Sequence, residues 1–273
     1  MTAGSTPGSG ELSGVGVAVT RAGTSAGRLG DLLRDRGADV VHWPCIRFDA
    51  PVDPAPLAGA VARAESFDWL IVTSPRGARC WLRAWAAGRD SAPRPPVSTA
   101  AAGPATAAVL REGGWPVERT GEEYSAAGLI EAFEAAGDAS GARMLFPCSD
   151  LASDELPEGL GRLGATVERI VAYRTVLTPP DPAELRRALV AGTVRVATFT
   201  SPSTVRGFLE GADTATVDLV RHRLAAAAIG NTTAGALEAA DWPAVVADEA
   251  SLEGLVDAAA RAAIDLRARQ GAT

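Results

Sequence analysis

Two similar α/β domains, each a small parallel sheet flanked by helices, are the fold that this sequence of 273 residues predicts. Three observations predict it. The apolar run Trp69 to Val72 leads straight into Thr73, Ser74 and Pro75. A short apolar run ending at such a signal reads as a buried parallel strand feeding a helix. Nearly the same words return at Ala197 to Ser203, and Thr73 and Thr200 stand 127 positions apart. That offset then recurs along most of the chain.

The elements follow in order. Gly16 to Thr20 is the first strand and Gly27 to Arg36 the first helix, closed by Gly37. Met1 to Gly14, rich in Gly, Ser and Thr, reads as a disordered tail rather than a signal peptide. Val40 to Phe48 is a second extended segment, and a helix from Leu57 to Ala64 precedes the Trp69 strand. Ser74 is placed as N-cap of the next helix, and Pro75 suits its first turn, where no N–H is needed. After the proline-rich loop Gly88 to Pro96 come strand Val97 to Ala102, the turn at Gly103, and a helix ending at Glu112. Ser125 caps a further helix to Ala136.

At Gly141 the pattern restarts. Gly37 matches Gly164, Val40 matches Val167, Gly103 matches Gly230, Thr106 matches Thr233 and Trp115 matches Trp242, all at an offset of 127. Only near Ser125 and Ser251 does it slip to 126. Residues 14–140 and 141–267 thus read as an internal duplication. The extended segments Val40 to Phe48 and Val167 to Leu177 are about twice the usual strand length of roughly five or six. Strands that long can leave one sheet and pair as a two-stranded connector. The expected domains are then residues 1–44 with 174–273, and residues 45–173 inserted between them.

Composition excludes several functions. All 26 basic residues are arginine, so neither a Schiff-base lysine nor a P-loop lysine exists. A net charge of −7 argues against a nucleic-acid binder. Three separated cysteines fit reduced thiols in a cytoplasmic protein, and two histidines make a histidine-rich metal site unattractive. No apolar stretch has the length of a membrane span.

The strand-to-helix corners carry the candidate chemistry: Thr73-Ser74-Pro75, Gly103 to Thr106, Ser201 to Ser203, and Gly230 to Thr233. Each helix start offers unpaired N–H groups and a partial positive charge, which suits carboxylates or phosphates. Two domains whose corners face a shared cleft suit a large polyanionic ligand. Each corner also reads as a plain helix cap. Tyr173 stands on the presumed connector, where it is either a proton donor or a packing residue. Missing glycine and lysine signatures weaken a tandem nucleotide-binding reading.

The words Leu-Ile-Val-Thr-Ser-Pro-Arg, Ala-Ala-Gly-Pro-Ala-Thr, Val-Ala-Tyr-Arg-Thr, Phe-Thr-Ser-Pro-Ser-Thr-Val and Ala-Ile-Gly-Asn-Thr-Thr, in this order, resemble the uroporphyrinogen-III synthase family. The resemblance implies two flavodoxin-like domains joined by a two-stranded β linker. It implies a cofactor-free, metal-free lyase of porphyrin and heme biosynthesis that cyclises hydroxymethylbilane, inverts ring D through a spiro intermediate and releases water. It places the catalytic tyrosine at Tyr173 and substrate contacts at Thr73, Ser74, Arg76, Gly103, Thr106, Ser201, Ser203, Gly230, Thr232 and Thr233. Its partner molecule is a linear tetrapyrrole, handed over by the preceding pathway enzyme to a monomer with no nucleic-acid or membrane partner. The alternative is a non-catalytic ligand-sensing or regulatory protein of the same fold.

Overall fold

A computed structural model describes residues 10–23, 27–88, 97–121 and 125–271. In chain order the first half gives β1 (Gly16–Val19), α1 (Gly27–Asp35), β2 (Asp39–His42), β3 (Ile46–Asp49), α2 (Ala55–Ala62), β4 (Trp69–Val72), α3 (Pro75–Gly88), β5 (Ser98–Ala101), α4 (Pro104–Glu112), β6 (Arg119–Thr120) and α5 (Ala126–Ala136). The second half gives β7 (Arg143–Ser149), α6 (Glu155–Arg162), β8 (Thr166–Leu177), α7 (Pro182–Ala191), β9 (Val196–Phe199), α8 (Pro202–Leu209), α9 (Thr214–Arg223), β10 (Ala225–Ala228), α10 (Asn231–Glu238), β11 (Ala244–Val246) and α11 (Leu252–Gly271).

The chain divides into two compact units, Met1–Arg47 with Val176–Thr273, and Phe48–Thr175. In the first, five strands lie in the order β11-β10-β9-β1-β2, each pair parallel. Counted along the unit, that is 2-1-3-4-5, the flavodoxin-like doubly wound order. In the second unit the order is β3-β8-β7-β4-β5-β6, with β8 through β6 parallel.

The duplication explains why the two sheets match. β4 and β9, like β5 and β10, begin and end 127 residues apart. Shifted by that offset, β8-β7-β4-β5-β6 becomes the order β2-β1-β9-β10-β11. Since β7 and β8 belong to the second copy and β4 to β6 to the first, each sheet is assembled from both copies.

Burial on both faces drives the strands to be apolar throughout. All four residues of β1 and of β9 are buried, as in a parallel sheet covered by helices on each side. Buried threonines at this centre are satisfied reciprocally: Thr20 Oγ1 donates to the Thr198 carbonyl at 2.7 Å, and Thr198 Oγ1 donates to the Ala18 carbonyl at 3.1 Å. Close packing sets a tight constraint at Gly207 in α8, where an added Cβ would stand 1.9 Å from the Cys45 carbonyl oxygen. Gly207→Ala is expected to cost about 1–3 kcal/mol by overpacking, read as a lowered denaturation midpoint.

Two sequence expectations are corrected here, at residues 10–14 and at Val40 to Phe48. Leu12 is fully buried and its N–H donates to the Arg36 carbonyl at 3.1 Å, so residues 10–14 are not a loose tail; residues 1–9 lie outside the described residues. The extended segment Val40 to Phe48 is two strands, β2 and β3, in different sheets. Pro44 stands at the break, where it has no N–H to offer a ladder. Asp154 occupies the N-cap of α6 without a capping bond, because its carboxylate pairs with Arg169 at 2.7 Å. Of the loop Gly88 to Pro96, residues 89–96 lie outside the described residues.

Candidate functional site

In an open parallel sheet, ligands bind beyond the carboxyl ends of the strands, where the strand order reverses. In the unit Phe48–Thr175 that point lies between β7 and β4, and in the other unit between β1 and β9. Thr73, Ser74 and Arg76 follow β4, and Gly103 and Thr106 follow the neighbouring β5.

The turn after β4 is built by local rules. Ser74 Oγ accepts the Gly77 N–H at 3.0 Å, a capping contact, and Pro75 opens α3. Gly77 lets the helix lie close to the sheet, since a Cβ there would meet the Pro147 carbonyl oxygen and Ser74 Oγ at 3.2 Å. The turn after β5 differs. Gly103 is an extended N-cap whose helix start has no side-chain cap, and Thr106 in the first turn is buried.

Tyr173 comes to this point from β8. Cys148 pairs with Val171 but Ser149 pairs with Tyr173, so Ala172 is an extra residue, a β-bulge. Ile170, Ala172 and Tyr173 consequently share one core with Trp81 and Ala78 of α3, whereas Val171 is exposed. The phenol oxygen stands 3.2 Å from Ser74 Oγ. Phe48 on β3 meets the Tyr173 ring edge-on, with centroids 5.7 Å apart, and the Arg76 guanidinium lies over the Phe48 ring, 3.8 Å from its centroid. The ends of β7 and β8 are tied by Asp150, whose Oδ1 accepts from Ser149 Oγ at 3.0 Å and from the Thr175 N–H at 2.8 Å.

Burial pushes the Tyr173 phenol above the usual tyrosine range; the Ser74 hydrogen bond opposes this, nearby Cys80 and Cys148 add to it, and Arg76 opposes it. The group therefore stays protonated across neutral pH. Because its folded pKa lies above its unfolded value of about 10, the associated stability is complete below that value and is lost as pH rises through the folded pKa. A pH–rate profile is expected to show no loss of the phenolic proton below pH of about 10, with the alkaline fall in stability following in a parallel melting series. Burial raises the Cys45 thiol to about 12 and also raises Cys80 and Cys148, which disfavours the reactive thiolate at neutral pH.

In the other unit, Ser201 and Ser203 follow β9, and Gly230, Thr232 and Thr233 follow β10. Ser201 forms a capping box with Thr204. Gly230 is an extended N-cap with open space where a Cβ would be, Thr232 is exposed and Thr233 is buried. The structure thus brings Ser74, Arg76 and Tyr173 into one cluster; the remaining candidates stand at neighbouring strand ends of their own unit.

Sequence reasoning missed Phe48 and Asp150 as members of this cluster. An aromatic at the end of an extended segment was the available signal for Phe48. A groove of about 450 Å³ adjoins the cluster, lined by Pro51, Val52, Pro56, Asp150, Val171 and Arg174 among others. The comparable groove of the other unit, about 440 Å³, opens at the amino ends of β10 and β11, away from the corners. Among the described residues no group of His, Cys, Asp and Glu is arranged to hold a metal, and no helix is long and apolar enough to cross a membrane.

The fold and the cluster define a class: a duplicated protein with two flavodoxin-like sheets, helix starts suited to anions, and a protonated tyrosine at one strand-order reversal. The chain belongs to the uroporphyrinogen-III synthase family; the family's profile, described as "Uroporphyrinogen-III synthase HemD", matches residues 27–257. It is 27% identical over 248 residues to the porphyrin biosynthesis protein HemD of Ruminiclostridium josui, covering 90% of this chain but 48% of that one, so it spans about half that relative's length. It is 30% identical over 200 residues to the uroporphyrinogen-III synthase of Synechococcus elongatus, covering 73% of this chain and 75% of the relative. Its fold is similar to a mutant uroporphyrinogen III synthase from Thermus thermophilus, with a TM-score of 0.63 at 22% identity, over 92% of this chain and 99% of that one.

Proposed function

We propose that this chain is a lyase that converts hydroxymethylbilane to uroporphyrinogen III and water, with inversion of ring D. The observation that carries the reading is the protonated Tyr173 phenol held against Ser74 at the strand-order reversal, in a chain of this family. Tyr173 gives its proton to the hydroxymethyl oxygen as the C–O bond breaks, so the group departs as water. Ring D then attacks the cationic carbon at its substituted position, giving the spiro intermediate. The older bond from that position to the bridge carbon of ring C then breaks, ring D's free α-carbon bonds the cationic bridge carbon instead, and the proton released from that α-carbon restores the phenol. Atoms balance with water as the only by-product.

Thr73, Arg76, Gly103 and Thr106, together with Ser201, Ser203, Gly230, Thr232 and Thr233, are proposed as substrate contacts. First-turn N–H groups, each worth about 0.3–1 kcal/mol toward an exposed carboxylate, must act in number. Arg76 supplies a guanidinium already oriented by Phe48. The net charge of −7 provides no long-range attraction for a polycarboxylate, so these local groups do the binding. Holding a flexible tetrapyrrole with its last ring turned over is a positioning effect, which in favourable geometry contributes several kcal/mol to a rate.

The test supplies hydroxymethylbilane generated in place, oxidises the products and separates the uroporphyrin isomers. A dominant type III isomer is expected. Type I alone, the product of spontaneous closure, would overturn the reading and leave a non-catalytic regulator of the same fold.

A further inference from the structure

The contact between Ser74 and Tyr173 joins two hydroxyls, either of which can donate, and the backbone beside it bears on which one does. Ser74 Oγ already accepts the Gly77 N–H at 3.0 Å. A serine hydroxyl has one proton and two lone pairs, so the remaining lone pair or the proton must meet Tyr173. Among the described residues, Ser74's hydroxyl proton has no acceptor other than the phenol oxygen at 3.2 Å. Accepting an N–H at a helix start polarises the hydroxyl and makes it a better donor. The phenol cannot turn away to another partner, because its ring is buried and braced by Phe48.

We infer that Ser74 is a positioning residue: it donates to the Tyr173 oxygen and so leaves the phenolic proton aimed outward, at the departing hydroxyl of the substrate. This rests on the proposed reaction. It assigns Ser74 a role different from contact with the substrate, since it acts through Tyr173. The chain Gly77 N–H to Ser74 Oγ–H to Tyr173 Oη–H runs in one direction, from the start of α3 outward.

Ser74→Asp separates this role from capping. Aspartate is as good an N-cap as serine, so the Gly77 N–H keeps its acceptor. A carboxylate has no proton to give at neutral pH, so the phenol must donate inward and its proton is withdrawn from the substrate. Turnover by Ser74→Asp is expected to fall on the order of 10²-fold, as deep as removal of the phenolic hydroxyl, with KM changed far less. Ser74→Thr, which keeps both donor and acceptor, recovers most of the turnover lost in Ser74→Ala. Ser125→Ala removes an equivalent cap, the Gly128 N–H acceptor at 3.1 Å, and leaves turnover unchanged.

A second readout needs no chemistry. The chain has two tyrosines, so with Tyr124→Phe the tyrosinate absorbance reports Tyr173 alone. Ser74→Ala and Ser74→Asp both shift that titration to higher pH. Wild-type turnover in Ser74→Asp, or a titration unmoved by either substitution, would overturn the assignment. Type I product from the wild type would sink the proposed reaction instead, while the titration still decides whether Ser74 donates to Tyr173.

Discussion

Tyr173→Phe is expected to lower turnover on the order of 10²-fold, the low end of what a positioned proton donor contributes, while the fold persists. The substitution removes one oxygen and one hydrogen bond, that to Ser74 at 3.2 Å, and keeps the ring that packs against Phe48. A typical buried hydrogen bond contributes about 0.5–1.5 kcal/mol net, which corresponds to a drop of a few degrees in Tm for a unit of this size. Two instruments therefore read the variant differently. Product formation under saturating substrate should collapse, while calorimetry should find the melting transition nearly in place. The opposite outcome, full turnover with an early transition, would reduce Tyr173 to a packing residue. Ring D would then have to be turned by shape alone, with the leaving hydroxyl protonated by solvent.

Trp242→Ala is expected to have the largest effect on stability. The side chain is 2% exposed, its ring centroid lies 5.3 Å from that of Phe199 and 5.6 Å from that of Phe208, and Nε1 donates to the Leu224 carbonyl at 2.9 Å. Truncating a buried tryptophan costs about 3–5 kcal/mol. Against a usual total of about 5–15 kcal/mol, that is enough to unfold a marginal domain. Trp242→Phe keeps most of the volume but strands the Leu224 carbonyl, a loss of about 1–3 kcal/mol. Trp115, one repeat earlier, sits in a different aromatic set, with Trp81 at 5.7 Å and Trp85 at 5.2 Å. Denaturant titrations of the two alanine variants should each show a large loss. A cost below about 1 kcal/mol at Trp242 would mean that the site collapses around the gap, contrary to a rigid core.

Much of the architecture was legible in the sequence because each copy repeats the same local signals. Strands at Trp69 and Ser98 reappear at Val196 and Ala225, and the caps at Ser74 and Ser125 act through the hydrogen bonds that their residue types imply. The four features that escaped notice are all tertiary. Leu12 looks like one apolar residue in a polar tail until the Arg36 carbonyl and the core receive it. The Ala172 bulge has no signature in residue type, since alanine is ordinary in a strand; yet without it Tyr173 would share the side of exposed Val171. Asp154 has a capping residue's identity but is claimed by Arg169. Phe48 and Tyr173 are far apart in sequence, and only the pairing of their strands within one sheet brings the rings together. The candidate residues were readable as helix starts; which of them touch one another was not.

Isomer composition in a single turnover, with enzyme in excess over hydroxymethylbilane, tests the account most directly. The wild type should return type III almost alone. Tyr173→Phe should return a mixture rich in type I, because slowed departure of the hydroxyl lets unassisted closure compete. Type I from the wild type, or the same type III fraction from both proteins at the same rate, would contradict it.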